Sequence, residues 1–120
     1  CGILGRKDLL NFYQELDVFL IPSHQEGLAI VGIEAMACGI PVISTFCGGP
    51  ESYVRNNKNG FLVGFEIGDM VERICELIKN RNLRAEFSKE ARKSVEREFG
   101  YEQFHKSLSN ECKKIWGEVL

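Results

Sequence analysis

Two glutamates, Glu26 and Glu34, flank the start of a predicted helix and are separated by seven residues. The helical rise of 1.5 Å per residue places their carboxylates roughly 12 Å apart along the axis. Carboxylates that act on one reacting atom are closer, since even inverting glycosidase pairs are about 6.5–9.5 Å apart. Taken singly, Glu34 could be an exposed helix residue and Glu26 an N-terminal cap. Their combination with Gly27 instead favours one extended ligand contacted at two places.

The segment between the two glutamates has the features of an anion site. Gly27 allows a ligand to approach the backbone closely. The free amides of the helix start, at Leu28, Ala29 and Ile30, are expected to point outward. The helix dipole adds only about 0.3–1 kcal/mol for an exposed charge, so a diphosphate would need a further cation, for which the sequence offers no good candidate. We interpret the segment as a nucleotide-sugar site, with one carboxylate for the sugar and one for the ribose.

Four more residues lie in loops that follow predicted strands: Ser23, His24, Gly48 and Gly49. The two glycines could let the backbone approach a phosphate or sugar, and a tight turn explains them equally well. His24 could hydrogen-bond a ligand, although the sequence favours a solvent-exposed loop histidine. The sequence contains neither the three-glycine dinucleotide fingerprint nor a P-loop.

Short apolar runs alternate with helical patterns along the chain. The runs at residues 18–21, 42–44 and 61–63 are typical of strands covered on both faces. Helical spacing is predicted for residues 6–16, 28–38, 82–99 and 101–116, and for a helix capped by Asp69. Gly39 and Pro41 end the second helix, and Gly60 is expected to have a positive φ in a polar turn.

This alternation predicts parallel strands joined by right-handed crossovers. The fold class is therefore α/β, a Rossmann-like three-layer parallel sheet with flanking helices that ends in a run of helices. Ligands bind at the carboxyl ends of the strands in such sheets. Loops 22–27, 45–49 and 64–68 should share that edge, and residues 1–120 should form a single domain.

Composition restricts the class of partner. A net charge of −2 argues against nucleic acid, and no apolar run approaches the roughly 20 residues of a membrane span. Five cysteines without a pairing pattern favour reduced thiols and a cytoplasmic protein. A basic stretch could touch an acidic membrane surface peripherally, although interspersed glutamates make a solvated helix face the simpler explanation. The stretch comprises Lys89, Arg92, Lys93 and Arg97.

The chain resembles the retaining glycosyltransferases of the GT-B fold, specifically family 4, the group 1 transferases. The motifs that match are DVFLIPS at 17–23, EGL at 26–28, EAMACGIPVI at 34–43, GGPE at 48–51 and NGFLV at 59–63. The resemblance implies that Glu26 contacts the donor sugar near the reacting centre and Glu34 the ribose hydroxyls. It also implies that the amides of Leu28 and Ala29 face the diphosphate, while Gly48 and Gly49 shape the adjoining loop.

The resemblance further implies that this chain is most of a C-terminal donor-binding domain, with the N-terminal GT-B domain missing. The full protein would move a sugar from a nucleoside diphosphate sugar to a glycan or lipid-linked acceptor in polysaccharide biosynthesis, without metal or cofactor. The chain alone should be inactive. Leu28 and Ala29 depart from the Phe and Gly that are frequent in the family, and the family's diphosphate-binding Arg and Lys are absent. Alternative hypotheses are a non-catalytic nucleotide-binding module and another GT-B enzyme, such as a nucleotide-sugar epimerase.

Overall fold

The computed structural model describes residues 2–117, in which a three-stranded parallel sheet is flanked by helices. The strands lie in the order β1-β2-β3, with Phe19 opposite Val42 and Val42 opposite Gly60. This confirms the predicted Rossmann-like α/β architecture. The elements are α1 (Arg6–Gln14), β1 (Phe19–Ile21), α2 (Ile30–Ala37), β2 (Val42–Thr45), a 3₁₀ helix (Gly49–Ser52), β3 (Gly60–Val63), α3 (Ile67–Lys79), α4 (Arg81–Phe99) and α5 (Tyr101–Trp116).

The core has two parts, one on each face of the sheet, because successive side chains of a strand point to opposite faces. Val42 of the fully buried strand β2 belongs to one cluster, which includes Met36 of α2. Its neighbour Ile43 belongs to the other, which includes Leu77 of α3. Burial on both faces explains why β2 is a continuous apolar run.

Two predicted helix starts are wrong. Helix α2 begins at Ile30 rather than at Leu28, because Ala29 has a left-handed backbone (φ 53°) that ends the preceding loop. Helix α3 begins at Ile67, with Glu66 at its N-cap position, so Asp69 does not cap it. Asp69 lies within the first turn, where a carboxylate still interacts favourably with the helix dipole.

The two glycine predictions had different outcomes. Gly39 does terminate α2 with a positive φ of 76°, donating to the carbonyl of Met36 at 2.9 Å. Gly60 was wrongly expected to have a positive φ, which in this turn belongs to Asn57 (φ 62°). Gly60 begins β3, and a Cβ there would lie 2.2 Å from the carbonyl oxygen of Val42. Close approach of the two strands therefore explains the glycine.

Helix α5 has no buried side chain, although its sequence is amphipathic. Its large apolar side chains are exposed, with Phe104, Ile115 and Trp116 each more than half accessible. On α4, Arg92 of the basic stretch donates to the Ala37 carbonyl and pairs with Glu96 at 2.8 Å. Within residues 2–117, every helix is too short or too polar to cross a membrane.

Candidate functional site

The loops that follow the three strands meet at one edge of the sheet, as the topology predicted. Glu26 and Gly48 form a parallel β-bridge, and the Glu26 amide donates to the carbonyl of Cys47 at 2.7 Å. The ring of His24 stacks on Phe65 of the third loop, with 5.4 Å between ring centroids and an interplanar angle of 17°. His24 is exposed, but this stacking holds its ring against the third loop.

Gly48 and Gly49 are required by contact between two loops. Gly48 has a φ of 111°, which favours glycine. A Cβ on Gly49 would lie 1.6 Å from the carbonyl oxygen of Gly27 and 2.6 Å from the Cα of Leu28. The Gly48 amide donates to the Glu51 carboxylate at 3.0 Å, so the 3₁₀ helix start is capped by its own side chain. The two glycines therefore allow the second loop to pack directly against the Glu26–Gly27 backbone.

The carboxylate of Glu26 is held by one neighbour and is otherwise exposed. The Ser23 hydroxyl donates to Glu26 Oε1 at 2.6 Å. Within residues 2–117, Oε2 of Glu26 accepts no hydrogen bond. The Thr45 hydroxyl at the end of β2 donates to the Ser23 carbonyl and so stabilises the loop that carries Glu26. Ser23, predicted on the same edge, therefore orients the carboxylate, and one oxygen stays free.

Glu34 is the fifth residue of α2 and is half buried. Its Oε2 accepts a hydrogen bond of 2.9 Å from the hydroxyl of Tyr13 on α1. Tyr13 is 4% exposed. The sequence analysis did not identify Tyr13 or this contact. The available signal was chemical, since a buried tyrosine hydroxyl usually needs a partner.

The start of α2 contains amide groups that lack backbone acceptors. Within residues 2–117, the N–H groups of Leu28, Ala29 and Ile30 have no backbone acceptor. Leu28 and Ile30 are 46% and 62% exposed, so these two residues are not packed into the core. The buried Tyr53 hydroxyl donates to the Ala29 carbonyl at 2.8 Å and holds the left-handed residue in place. Sequence reasoning did not identify Tyr53.

Because of Tyr53 and Tyr13, the free energy of unfolding should decrease at alkaline pH. Burial raises the pKa of Tyr53 to about 12, and burial together with the Glu34 hydrogen bond raises the pKa of Tyr13. A tyrosine whose pKa is raised on folding contributes its full stabilisation below its pKa in the unfolded state, about 10. This stabilisation is lost as the pH rises toward the pKa in the folded state.

We therefore expect the stability difference between wild type and Tyr53→Phe to shrink by about 1–2 kcal/mol from pH 9 to pH 11.5. Urea unfolding of both proteins at the two pH values measures the change. A difference that stays constant over this range would show that the Tyr53 proton is not retained by the fold.

A cavity of about 350 Å³ opens beside His24 and Phe65. The cavity is lined in part by Met70 and Ile74 of α3, which pack against the second core cluster. Glu34 lies on α2, which packs with the first cluster on the opposite face of the sheet. The cavity and helix α2, which carries Glu34, therefore lie on opposite faces of the sheet.

Metal-ligating side chains do not converge in the part of the chain that the structure describes. Residues 2–117 contain no group of three or more His, Cys, Asp or Glu side chains placed to hold a metal ion. Cys38, Cys47, Cys75 and Cys112 are free thiols. The polar groups at the sheet edge are therefore carboxylates, hydroxyls, an imidazole and backbone amides.

Comparison with known families identifies the class of protein. The family described as glycosyl transferases group 1 matches residues 2–94, which include the whole loop edge and both glutamates. The chain belongs to this family.

Individual relatives agree with this assignment. The chain is 40% identical over 95 residues to the capsular polysaccharide biosynthesis glycosyltransferase CapM of Staphylococcus aureus, covering 77% of this chain and 24% of CapM. It thus spans about a quarter of the length of that relative. Its fold matches the sucrose-phosphate synthase of Thermosynechococcus elongatus with a TM-score of 0.87 and 26% identity, over 97% of this chain and 29% of that one.

A third match was solved with a nucleotide bound. Anabaena Alr3699/HepE in complex with UDP matches with a TM-score of 0.76 and 26% identity, over 88% of this chain and 30% of that chain. The likeness to these solved structures confirms that the fold is that of a GT-B C-terminal domain.

Proposed function

We propose that the full-length protein transfers a sugar from a nucleoside diphosphate sugar to an acceptor hydroxyl with retention of anomeric configuration. This chain would supply most of the donor-binding domain. The observation that supports the proposal most strongly is the start of α2, where amides without backbone acceptors lie between Glu26 and Glu34. Free amides and the positive end of a helix dipole are suited to a diphosphate.

Each group at the edge has a proposed role. The amides of Leu28 and Ala29 would donate to the diphosphate, and Glu34 would accept from the ribose hydroxyls. Glu26 would lie against the donor sugar, where its charge would stabilise the positive charge that develops on the sugar ring. Helix amides, together with basic side chains from outside this chain, would stabilise the leaving diphosphate, so that no metal is required.

Gly48 and Gly49 would place the second loop next to the sugar, because they allow this loop to pack closely against Gly27. Ser23 would hold the Glu26 carboxylate in position, and His24 of the first loop, whose ring stacks on Phe65, would border the sugar. The contacts of Ser23 with Glu26 and of His24 with Phe65 support these roles.

The acceptor site would belong to a preceding GT-B domain, and the acceptor would be a glycan or a lipid-linked sugar. CapM is a capsular polysaccharide enzyme, which supports an acceptor of this class. We infer a cytoplasmic protein that contacts the membrane at most peripherally. Without its partner domain, the chain should bind nucleotide weakly and show no transfer activity.

Calorimetric titration of the full-length protein with UDP, GDP and ADP sugars tests the donor site. Glu34→Ala should weaken the preferred nucleotide by about 10- to 100-fold, because a hydrogen bond to a charged group contributes about 1.5–3 kcal/mol. Glu86→Ala, at an exposed α4 position, is the matched control and should leave affinity unchanged. Equal affinities for wild type and Glu34→Ala would exclude the ribose role. The anomeric configuration of the product, determined by proton NMR, separately tests retention.

A further inference from the structure

Tyr13 connects α1 to the proposed ribose-binding carboxylate across 21 positions of sequence. Its ring is fixed in the core, with the rings of Phe12 and Phe19 each 5.8 Å away between centroids. Its hydroxyl reaches α2, where it lies 2.9 Å from Glu34 Oε2 and 3.4 Å from the carbonyl oxygen of Val31. The single proton is therefore directed to the carboxylate, the closer and charged acceptor.

This hydrogen bond restricts the Glu34 side chain to one orientation. A glutamate on a helix surface otherwise samples several rotamers, and fixing it on ligand binding costs affinity. Tyr13 uses Oε2, whereas Oε1 accepts no hydrogen bond within residues 2–117. The carboxylate thus keeps a free oxygen in a fixed position.

We propose that Tyr13 is a positioning residue that orients Glu34 so that its free oxygen meets the vicinal hydroxyls of the donor ribose. The proposal rests on the proposed function, because it assumes that Glu34 contacts ribose. It assigns to a core tyrosine on α1 a part in the selection of ribonucleotides over nucleotides that lack these hydroxyls.

The test compares the affinity of the full-length protein for the nucleoside diphosphate that it prefers and for the 2′,3′-dideoxy form of that nucleotide. Wild type should prefer the parent nucleotide by about 10- to 100-fold, the contribution of hydrogen bonds to a charged group. Tyr13→Phe keeps the buried ring and removes only the hydroxyl. It should reduce this preference by about 3- to 10-fold, and in a Glu34→Ala background, where no side-chain oxygen remains to be oriented, it should reduce the preference no further.

Tyr53→Phe is the matched control, because it also removes a buried hydroxyl that donates to α2 or its cap but does not contact Glu34. It should lower both affinities alike and leave their ratio unchanged. If Tyr13→Phe unfolds, the ratio is measured at 10 °C with trimethylamine N-oxide, which strengthens effective burial.

Three results are decisive. An unchanged preference for the parent nucleotide in Tyr13→Phe, with a reduced preference in Glu34→Ala, would overturn the positioning role and leave the proposed function standing. An equal loss from Tyr13→Phe in both backgrounds would also overturn it, since the tyrosine would then act independently of Glu34. Absence of nucleoside diphosphate binding by wild type would overturn the proposed function and this inference together.

Discussion

Glu26→Ala in the full-length protein is expected to lower sugar transfer by at least about 100- to 1,000-fold, the loss typical when a preorganised electrostatic group is removed from an active site. The fold should remain intact. Glu26 is exposed, and its side chain makes one hydrogen bond, to Ser23, within residues 2–117. Its structural contact to the second loop uses the backbone, which the substitution preserves. Turnover rates of both proteins at saturating donor measure the effect.

Two further variants separate charge from shape at this position. Glu26→Gln keeps the length of the side chain and can still accept from Ser23, but it lacks the negative charge. It should be nearly as inactive as Glu26→Ala if the charge stabilises the transition state. Glu86→Ala removes an equivalent carboxylate at an exposed position on α4 and should retain full turnover. Full activity of Glu26→Ala would exclude the catalytic role.

Gly49→Ala is expected to disrupt the site by separating its first two loops. The new methyl group would lie 1.6 Å from the Gly27 carbonyl oxygen, so the backbone of one loop must move. Overpacking of this kind typically costs about 1–3 kcal/mol of stability. Because the displaced segment precedes the free amides of Leu28 and Ala29, nucleotide affinity should fall as well. Urea unfolding and UDP titration measure the two effects.

The chain offers two matched alanine substitutions for comparison. A Cβ on Gly68, in the first turn of α3, would have no heavy atom within 4 Å, so Gly68→Ala should preserve both stability and affinity. A Cβ on Gly27 would also meet nothing within 4 Å. Gly27→Ala should therefore preserve stability but weaken nucleotide binding, because the methyl group occupies the proposed ligand space. Identical behaviour of Gly49→Ala and Gly68→Ala would contradict the loop contact.

The strands of this sheet could be predicted from sequence because both of its faces are covered. Val42 and Ile43 enter opposite core clusters, so β2 is apolar throughout and is recognisable without knowledge of its neighbours. The end of α2 could also be predicted, since a glycine at Gly39 followed by Pro41 stops a helix by local geometry alone.

The start of α2 could not be predicted in the same way. The left-handed conformation of Ala29 is held by the Tyr53 hydroxyl, which lies 24 positions away. Likewise, the role of Gly60 depends on its distance from Val42 in the neighbouring strand. The local sequence predicted a positive φ at Gly60, whereas in the structure Asn57 has the positive φ of this turn.

The candidate site was predicted from sequence, but the contacts that orient its side chains were not. The alternation of strands and helices predicted that the loops after the three strands share an edge. The hydrogen-bond partners of the two carboxylates differ in their distance along the sequence. Ser23 lies three positions from Glu26, whereas Tyr13 lies on a different helix from Glu34. Hydrogen bonds between distant elements depend on tertiary packing, so the Tyr13 contact required the structure.

A crystal structure of the full-length protein with the nucleoside diphosphate that it prefers would show whether the start of α2 binds the donor. We expect the diphosphate within hydrogen-bond distance of the Leu28 and Ala29 amides and the ribose hydroxyls at the free oxygen of Glu34. A nucleotide bound away from the start of α2, with Glu34 contacting only Tyr13, would contradict this expectation.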